Sequence, residues 1–254
     1  MTLWVDGRFV PGGDAPRRTG SAPFETMGAA NGELPLWDRH LARLGAAVAR
    51  LSLPWTAPAG LRAAAQELLR SESQHDGVLR LSVVPHAHGV STVLAARARS
   101  PVKVMQLLPT VVARPANAPP GDLKAEPRGY YDEVRQQAQD GGADDGLVIA
   151  ADGAVLETAL GNLWLRVDGR WTTPRLDGRV LPGIARAILC DGLRARGLAV
   201  DERVCGLDDV HRAQALAVGN AVHGPRPACL VGQPADLAPT ERDLLPVWRA
   251  AFGG

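Results

Sequence analysis

Lysine and cysteine are scarce in this sequence. Only Lys103 and Lys124 occur among its 28 basic residues, so chemistry that needs a lysine amine has two candidates. The three cysteines, Cys190, Cys205 and Cys229, are odd in number and lack the spacing of metal ligands. Their pattern argues against a disulfide framework and a metal site. We expect reduced thiols in a cytoplasmic protein.

A dominant charge and a long hydrophobic run are also lacking. The formal net charge is +1 over 254 residues, without a basic stripe, which argues against nucleic acid as a partner. No apolar run suits a signal peptide or a membrane helix, so no membrane association is expected. With 46% hydrophobic and 22% charged residues, the chain can bury a core and form one or two globular domains.

The first half of the chain has an α+β pattern. Turn pairs such as Asp6-Gly7 and Asn31-Gly32 separate short apolar segments, which predicts antiparallel strands. Apolar residues at helical spacing follow Asp38, a good N-cap, and predict a helix. The expected elements are the hairpin Leu3–Val10, the paired strands Phe24–Ala29 and Leu34–Trp37, this helix, a second helix at Leu61–Leu69, and the strands Val78–Val84 and Val90–Ala96.

A break in this pattern predicts two domains. Residues 113–121, ARPANAPPG, are too rich in proline and glycine for the interior of a helix or strand. We interpret them as a linker between a small N-terminal α+β domain, residues 1–112, and a larger C-terminal domain, residues 122–254.

The second half is organised around residues 143–186. The strands Gly146–Ala150, Val155–Thr158 and Asn162–Val167 are expected to form a tight antiparallel meander. A helix is expected to begin at Pro182, which has no N–H group to lose at a helix start. The other expected elements are a helix at Tyr131–Gln139, the helix Pro182–Gly197, a strand at Leu198–Val204, a short helix at Asp208–Ala213 and the strand Ala215–Val218.

Two features of this stretch indicate a phosphorylated cofactor. Gly183 lets the backbone approach a ligand, and the N–H groups of Ile184 and Ala185 lie at the positive end of a helix dipole, where a phosphate can bind. Glu157 stands among apolar and small residues, where a bare charge is costly unless it has a cationic partner. A cofactor with a phosphate and a basic nitrogen satisfies both features. Pyridoxal 5'-phosphate fits this description.

An ordered set of motifs carries a family resemblance. The motif D-G-x-V-x-E-x-x-x-x-N, from Asp152 to Asn162, is followed by T-P-x-L and by G-x-x-L-P-G-I-x-R. This order resembles the signature of fold-type IV pyridoxal-phosphate enzymes, the class IV aminotransferase family, which includes branched-chain and D-amino-acid aminotransferases and aminodeoxychorismate lyase. The resemblance implies a two-domain α+β fold of the D-amino-acid aminotransferase type, with a small α/β sandwich domain and a larger, β-rich, barrel-like domain with helices. It also implies pyridoxal 5'-phosphate and a homodimer.

The resemblance implies roles for Lys124 and Glu157. In the family, the lysine that binds the cofactor covalently comes at the start of the second domain, and the acid that faces the pyridine nitrogen follows it. Lys124 and Glu157 are 33 residues apart. The segment Lys-x-x-x-x-x-x-Tyr that ends at Tyr131 resembles the lyase-type version, found where the enzyme is fused to the synthase that makes its substrate. Without the resemblance, Lys124 would be interpreted as a solvated surface lysine.

The other expected site residues also come from the resemblance. Arg43 is expected to bind the phosphate, since a guanidinium suits a phosphate dianion. Asn220 and Ala221 lie in a loop that helps to hold the phosphate in the family. The expected substrate pocket contains Phe24, whose ring borders the cofactor, together with His86, Val222 and His223.

Departures from the family pattern bear on the substrate. Ala221 replaces a hydroxyl residue, and His223 replaces the arginine of the lyase-like loop Asn-Ser-Val-Arg-Gly. Val84-Pro85-His86 stands where D-amino-acid aminotransferases carry a carboxylate-binding arginine. His86 and His88 are not expected to bind a metal, because no third ligand is nearby.

The resemblance implies a reaction on a small-molecule substrate. The expected lyase converts 4-amino-4-deoxychorismate to 4-aminobenzoate and pyruvate, in folate precursor synthesis. Two alternatives stay open: an aminotransferase that acts on D-amino acids, branched-chain amino acids or (R)-amines, and a cofactor-binding protein without catalysis. The second alternative is disfavoured because Lys124, Glu157 and Arg43 are all present.

Overall fold

The computed structural model describes residues 1–101 and 103–253, in two units. The first unit is Met1–Pro101 with Leu123–Pro127, and the second is Val102–Asp122 with Arg128–Gly254. The strands are β1 Thr2–Val5, β2 Arg8–Pro11, β3 Ala22–Gly28, β4 Val78–His86, β5 Gly89–Arg97, β6 Met105–Thr110, β7 Ala125–Glu126, β8 Asp145–Ile149, β9 Val155–Thr158, β10 Asn162–Val167, β11 Arg170–Pro174, β12 Val200–Arg203, β13 Ala215–Asn220 and β14 Gly224–Leu230. The α-helices are α1 Trp37–Arg50, α2 Leu61–Ser71, α3 Gly129–Asp140, α4 Ile184–Ala195, α5 Leu207–Arg212 and α6 Leu245–Phe252.

The first unit contains an antiparallel sheet with the strand order β2-β1-β5-β4-β3-β7. Its first hairpin turns at Asp6 and Gly7, which both have positive φ, as a tight two-residue turn requires. Helices α1 and α2 pack against the sheet and enclose an apolar core. Leu44 and Val48, one turn apart on α1, belong to this core.

Strand β3 presents different side chains to the two faces of this sheet. Met27 lies in the core beneath the helices, and Glu25 reaches side chains of α1 on the same face. Phe24 has the opposite parity and therefore lies on the other face. Strand β7 runs antiparallel to β3, with Ala22 opposite Glu126. This register brings the residues beside β7 next to Phe24.

The second unit contains a mixed sheet with the strand order β12-β11-β10-β13-β14-β6-β8-β9. The pairs β11–β12, β14–β6 and β6–β8 are parallel. One apolar cluster includes Leu147, Leu163 and Val218 of this sheet. Another cluster joins Val134 of α3 to Val148 of β8. Apolar packing on both faces explains why its central strands are almost continuously buried.

The predicted meander is correct in its first half and wrong in its second. Strands β8 and β9 form the expected antiparallel pair. Strand β10 pairs with β11 and β13 instead of β9. Hydrogen bonds between Thr158 and Gly161 close the turn after β9, and β10 then runs beside a strand that comes much later in the chain. Local turn residues could predict the turn but not this distant partner.

The predicted strand Leu34–Trp37 is also wrong. Beyond the Asn31-Gly32 turn, one isolated bridge forms, and β3 pairs with β4 and β7. Leu36 is the N-cap of α1, so Asp38 lies inside the first helical turn and not at the N-cap. A carboxylate is still favourable there because it faces the positive end of the helix dipole.

Strands β6, β7, β11 and β14 and helix α6 are absent from the sequence-based prediction. Pro109 lies in β6, and Pro225 and Pro227 lie in β14. Proline has no N–H to donate and usually marks an edge or an end of a strand. The other predicted helices and strands occur with ends shifted by a few residues, as is usual for element boundaries.

The predicted linker, residues 113–121, contains neither helix nor strand and lies in the second unit. Lys124 lies in the first unit. The domains 1–112 and 122–254 stay a prediction about which segments fold independently. Across the two described ranges, every helix is too short or too polar to span a lipid bilayer.

Candidate active site

Glu157 lies at a bulge in β9. Two residues of β9, Leu156 and Glu157, stand opposite a single residue of β8. A bulge interrupts the alternation of side chains between the faces of a sheet and can redirect a side chain. Leu156 packs in the cluster that contains Val134 of α3, and Glu157 contacts Tyr131 of the same helix. The bulge therefore explains why this carboxylate lies on the α3 side of the sheet.

Hydrogen-bond donors hold the Glu157 carboxylate, which is 4% exposed. Tyr131 Oη donates to Oε1 at 2.8 Å. Asn162 Nδ2 and the N–H of Leu181 donate to Oε2 at 3.2 and 3.3 Å. Burial raises the pKa of Tyr131, and the negative charge of Glu157 raises it further. Tyr131 is therefore a phenol at neutral pH, and it can donate to the carboxylate.

Gly183, directly before α4, lies against the side chain of Asn162. A Cβ atom on Gly183 would lie 1.9 Å from Asn162 Oδ1, so any larger residue here would force the Asn162 side chain to move. Asn162 Nδ2 also donates to the carbonyl oxygen of Leu181 at 2.9 Å. One amide thus connects Glu157 to the backbone that leads into α4.

The N-terminus of α4 presents backbone N–H groups. Ile184 and Ala185 are its first residues and are buried. Gly183 is the N-cap, and among the described residues no side chain caps this end. The sequence predicted a helix that begins at Pro182, but α4 begins at Ile184 and Pro182 precedes it. Uncapped N–H groups and the helix dipole make this end suitable for a phosphate.

Asn220 fixes the loop after β13. Its Oδ1 accepts hydrogen bonds from the N–H groups of Val222 at 3.0 Å and His223 at 2.9 Å. Its Nδ2 donates to the carbonyl oxygen of Leu160 at 3.2 Å. Val222 is 7% exposed, and Ala221 and His223 are half-buried. The roles predicted for these residues toward a phosphate or a substrate stay predictions.

In the first unit, Lys124 and Arg80 both lie over the ring of Phe24. Lys124 Nζ is 4.6 Å from the ring centroid, and the guanidinium carbon of Arg80 is 3.7 Å from it. Phe24 is 3% exposed. Arg80 Nη2 also donates to Glu126 Oε1 at 2.7 Å. The register of β3 with β7 and β4 therefore gathers a lysine amine, an aromatic ring and an ion pair on one face of the sheet.

Arg43 forms a bidentate ion pair with Glu25 of β3. Its Nε donates to Oε1 at 2.7 Å, and its Nη2 donates to Oε2 at 2.6 Å. His40 Nδ1 lies 2.7 Å from Oε2. Burial alone would raise the pKa of Glu25, but Arg43 and His40 lower it to about 2. Burial lowers the pKa of His40 despite the opposing effect of Glu25. At neutral pH an ionised Glu25 thus lies between a neutral imidazole and a guanidinium.

His86 makes its hydrogen bonds inside its own hairpin. Its Nδ1 accepts from the N–H of His88 at 3.2 Å, and its Nε2 lies 2.9 Å from Ser91 Oγ. These contacts stabilise the turn between β4 and β5. Its place in the substrate pocket stays a prediction.

The polar groups in each unit fit a phosphorylated pyridine. The second unit has a buried carboxylate that suits a protonated ring nitrogen, and a helix N-terminus without a side-chain cap, preceded by Gly183, where a Cβ would meet the side chain of Asn162. The first unit has a lysine amine beside an aromatic ring and a guanidinium in a fixed orientation. The chemistry of these groups matches an aldehyde, a basic nitrogen and a phosphate.

Three residues contact the side chains of predicted site residues but were not themselves predicted as site residues. Signals for them are present all the same. Tyr131 follows Lys124 at the lyase-type spacing, and Asn162 ends the first motif. Glu25 is a lone acid in an apolar strand, and it pairs with a His-x-x-Arg face of α1. To identify these three as site residues from the sequence, one would need to know which side chains of neighbouring elements they contact.

Comparison with known families and structures places these features in context. A family model described as amino-transferase class IV matches residues 22–231. No curated protein matches the chain.

Solved structures share the fold along almost the whole chain. The branched-chain amino acid aminotransferase of Escherichia coli is 18% identical, with a TM-score of 0.83, and the match covers 99% of this chain and 93% of that one. A candidate 4-amino-4-deoxychorismate lyase from Legionella pneumophila is 22% identical, with a TM-score of 0.81 and coverage of 94% and 96%. The branched-chain aminotransferase of the thermophilic archaeon Thermoproteus uzoniensis, solved with norvaline, is 22% identical, with a TM-score of 0.83 and coverage of 100% and 95%.

At these identities, the likeness to solved structures shows the fold, which is the fold-type IV aminotransferase fold expected from the motifs. The family model is independent of that likeness and spans most of the chain. The protein therefore belongs to the class IV aminotransferase family.

Proposed function

We propose that this protein is a pyridoxal-phosphate-dependent lyase that converts 4-amino-4-deoxychorismate to 4-aminobenzoate and pyruvate. The observation that carries the proposal is the position of Tyr131. Its spacing from Lys124 resembles the lyase-type segment, and its hydroxyl donates to Glu157, the acid expected at the pyridine nitrogen. The Legionella pneumophila neighbour supports this choice within the family.

Pyridoxal 5'-phosphate is the cofactor of this family. Two structures of another branched-chain aminotransferase, one with pyridoxamine 5'-phosphate and one with N-(5'-phosphopyridoxyl)-L-glutamate, support it for this chain. When bound, the cofactor supplies an electron sink for the bond that breaks at the substrate carbon. We propose these contacts: Lys124 to the aldehyde carbon, Glu157 to the ring nitrogen, and Arg43, Gly183, Ile184, Ala185, Asn220 and Ala221 to the phosphate.

The role proposed for Glu157 depends on its hydrogen-bond donors. Tyr131 stays protonated because its pKa is raised, so it donates to Glu157 and does not repel it. Asn162 fixes the second oxygen. A carboxylate held in this way keeps a proton on a facing pyridine nitrogen, which increases the capacity of the ring to accept electrons.

The role proposed for Lys124 is proton transfer. Its Nζ removes the proton from the amine-bearing carbon of the substrate. The bond between the ring carbon and the enolpyruvyl oxygen breaks, and this oxygen leaves with the electron pair. The ring becomes aromatic, and Lys124 or water protonates the enolate carbon to give pyruvate. Phe24, which lies against Lys124, restricts the positions of its amine.

An aminotransferase is the second candidate, and the branched-chain aminotransferases among the structural neighbours favour it. Such an enzyme would act on D-amino acids, branched-chain amino acids or (R)-amines. It uses the same proton abstraction by Lys124 but must also recognise an α-carboxylate or an apolar substitute. Val84-Pro85-His86, in place of the carboxylate-binding arginine of D-amino-acid aminotransferases, weighs against D-amino acids.

A product assay separates the two candidates. The protein with bound pyridoxal 5'-phosphate is incubated with 4-amino-4-deoxychorismate, and 4-aminobenzoate and pyruvate are measured. In parallel, D-alanine, L-leucine and an (R)-amine are each tested with an oxo-acid acceptor. We expect 4-aminobenzoate from the wild type and none from Lys124→Ala. If amino groups are transferred and no 4-aminobenzoate is formed, the lyase proposal is wrong and the aminotransferase is the better one.

We further propose that the protein acts as a cytoplasmic homodimer on a small-molecule substrate, as the family resemblance implies. Light scattering should then give about twice the chain mass of 26.8 kDa. A mass that stays at that of one chain over the working concentration range would reject the dimer.

A further inference from the structure

We propose that Glu25 is a positioning residue for phosphate recognition: it holds Arg43 so that the guanidinium edge away from Glu25 contacts the cofactor phosphate. The inference rests on the role proposed above for Arg43. It adds a residue on a different element, which does not itself touch the cofactor.

The geometry of the ion pair leaves one orientation for the guanidinium. Glu25 accepts hydrogen bonds from Arg43 Nε at 2.7 Å and from Arg43 Nη2 at 2.6 Å. Both carboxylate oxygens therefore bind the same edge of the planar guanidinium. A bidentate contact fixes the plane as well as the position of a guanidinium. The opposite edge, which carries Nη1 and the second N–H of Nη2, has the fork that suits two phosphate oxygens.

The proposed role requires Glu25 to be buried and Arg43 to be more accessible, and their exposed fractions differ in this direction. The side chain of Glu25 is 1% exposed, whereas that of Arg43 is 18% exposed. The anion is thus buried in the first unit, and the cation lies above it, toward the surface. A pair that only joined β3 to α1 could be fully covered or replaced by apolar side chains, since a buried ion pair is a weak source of stability.

His40 supports the pair without adding charge. It is fully buried on α1, one turn before Arg43, and its Nδ1 lies 2.7 Å from Glu25 Oε2. Because Glu25 is ionised, Nδ1 carries the proton and donates to it. The neutral imidazole cannot compete with Arg43 for the carboxylate as a second cation.

The test compares two forms of the cofactor that differ only in the phosphate. The full-length protein is stripped of cofactor, and its absorbance or fluorescence is titrated with pyridoxal 5'-phosphate and, separately, with pyridoxal. The readout is the ratio of the two dissociation constants, which isolates the preference for the phosphate from all other contacts. No turnover is measured.

Glu25→Gln should lower this preference roughly tenfold or more, the scale of one lost charge-assisted hydrogen bond, and should leave the affinity for pyridoxal unchanged. The matched control is Glu67→Gln. Glu67 pairs with Arg70 at 2.6 Å in the same unit, but both side chains are more than half exposed. This control should keep the wild-type ratio.

A double-mutant cycle shows whether Glu25 acts through Arg43. Arg43→Ala should abolish the preference to the same extent with Glu25 or Gln at position 25. If Glu25→Gln instead weakens both ligands equally, or weakens phosphate binding further in Arg43→Ala, the positioning role is wrong. Should Glu25→Gln fail to fold, Glu25→Asp keeps the charge but shortens the reach, and the same fall in preference is expected.

The same titrations separate this inference from the proposed function. A wild type that does not bind pyridoxal 5'-phosphate would overturn the function and the inference together. A wild type that binds it with a preference unaffected by Arg43→Ala would overturn the role of Arg43. A preference that depends on Arg43 but not on Glu25 would overturn only the inference.

Discussion

Two buried carboxylates, Glu25 in the first unit and Glu157 in the second, are each held by more than one donor. Glu157 accepts hydrogen bonds from Tyr131 and Asn162, and Glu25 accepts two from Arg43. Burying a carboxylate is costly unless such bonds compensate for lost water. Because two oxygens are held at once, each carboxylate has a defined orientation. An orientation of this kind is what a side chain needs in order to act on a bound group.

Glu157→Gln should affect turnover more than cofactor binding. The role proposed for Glu157 concerns the charge that develops as a bond breaks, so its loss should lower kcat by about 100-fold, while the dissociation constant of pyridoxal 5'-phosphate rises by less than about tenfold. Arg43→Ala should show the reverse, because it removes a phosphate contact. Steady-state kinetics and cofactor titration measure the two quantities.

Tyr131→Phe provides the matched control for this prediction. It removes one donor to Glu157 but keeps the carboxylate and the aromatic ring, so a fall in kcat smaller than that of Glu157→Gln is expected. Equal losses of kcat and of cofactor affinity in Glu157→Gln would contradict the role proposed for the acid.

His223 should limit the affinity for a substrate with two carboxylates. The lyase-like loop of the family has an arginine here, which can form two charge-assisted hydrogen bonds with a carboxylate. His223→Arg should therefore lower KM for 4-amino-4-deoxychorismate by about tenfold. Binding of an (R)-amine that has no carboxylate, followed by cofactor absorbance, should show no such gain. An unchanged KM in both His223→Arg and His223→Ala would mean that the carboxylates are recognised elsewhere.

At the scale of single elements, the start of α4 is a tightly packed segment of the second unit. Gly183→Ala should disturb it, because the new Cβ would lie 1.9 Å from Asn162 Oδ1 and would displace a donor of Glu157. We expect the affinity for pyridoxal 5'-phosphate to fall by about tenfold or more, measured by titration. Gly206→Ala is the control, since nothing lies within 4 Å of a Cβ there. Equal affinities of the two variants would show that Gly183 makes no required approach.

Because Glu25 of β3 pairs with α1, the free energy of unfolding should fall at acid pH. The ordinary pKa of Glu25 is 4.5, and in the folded protein it is lowered to about 2. A lowered pKa stabilises the fold above pH 4.5, and this stabilisation is lost as the pH falls through the folded value. The loss attributable to Glu25 is about 3 kcal/mol in the free energy of unfolding.

Urea unfolding at a series of pH values between 6 and about 2 measures this loss. Glu25→Gln should be less stable at pH 6 and should lack this part of the pH dependence. Glu67→Gln, which alters an exposed ion pair, should follow the wild-type curve. A Glu25→Gln variant that keeps the full acid loss would show that other carboxylates cause it.

Patterns of turn residues and apolar spacing predict most helices and strands, but not how strands are arranged in a sheet. The Asp6-Gly7 hairpin and the helix at Leu61 follow from residues that are neighbours in sequence. The partner of β10 does not, because β13 is distant in the chain and its pairing depends on the packing of a whole sheet. The bulge that directs Glu157 toward α3 has the same origin. Its residues look like an ordinary short strand.

At the scale of the whole molecule, the order of the motifs predicts the family and the fold, which the family model and the solved structures confirm. The supports of the site are harder to predict. Glu25 becomes meaningful only when β3 and α1 are seen to place it against Arg43. We expect the choice of substrate to depend on side chains such as His223, where this chain departs from the family pattern. Those departures are visible in the sequence, but their effects must be measured.

The scarcity of lysine makes one measurement decisive for the central claim, that Lys124 binds the cofactor covalently. Lys124 lies beside Phe24, whereas Lys103 is 65% exposed and pairs with Asp144 at 2.5 Å, so the two lysines have distinct surroundings. Borohydride reduction of the protein with bound pyridoxal 5'-phosphate fixes the cofactor to its lysine, and peptide mapping identifies that residue. The account predicts that the modified peptide contains Lys124, and that Lys103→Arg labels equally well. Modification of Lys103, or of neither lysine, would contradict it.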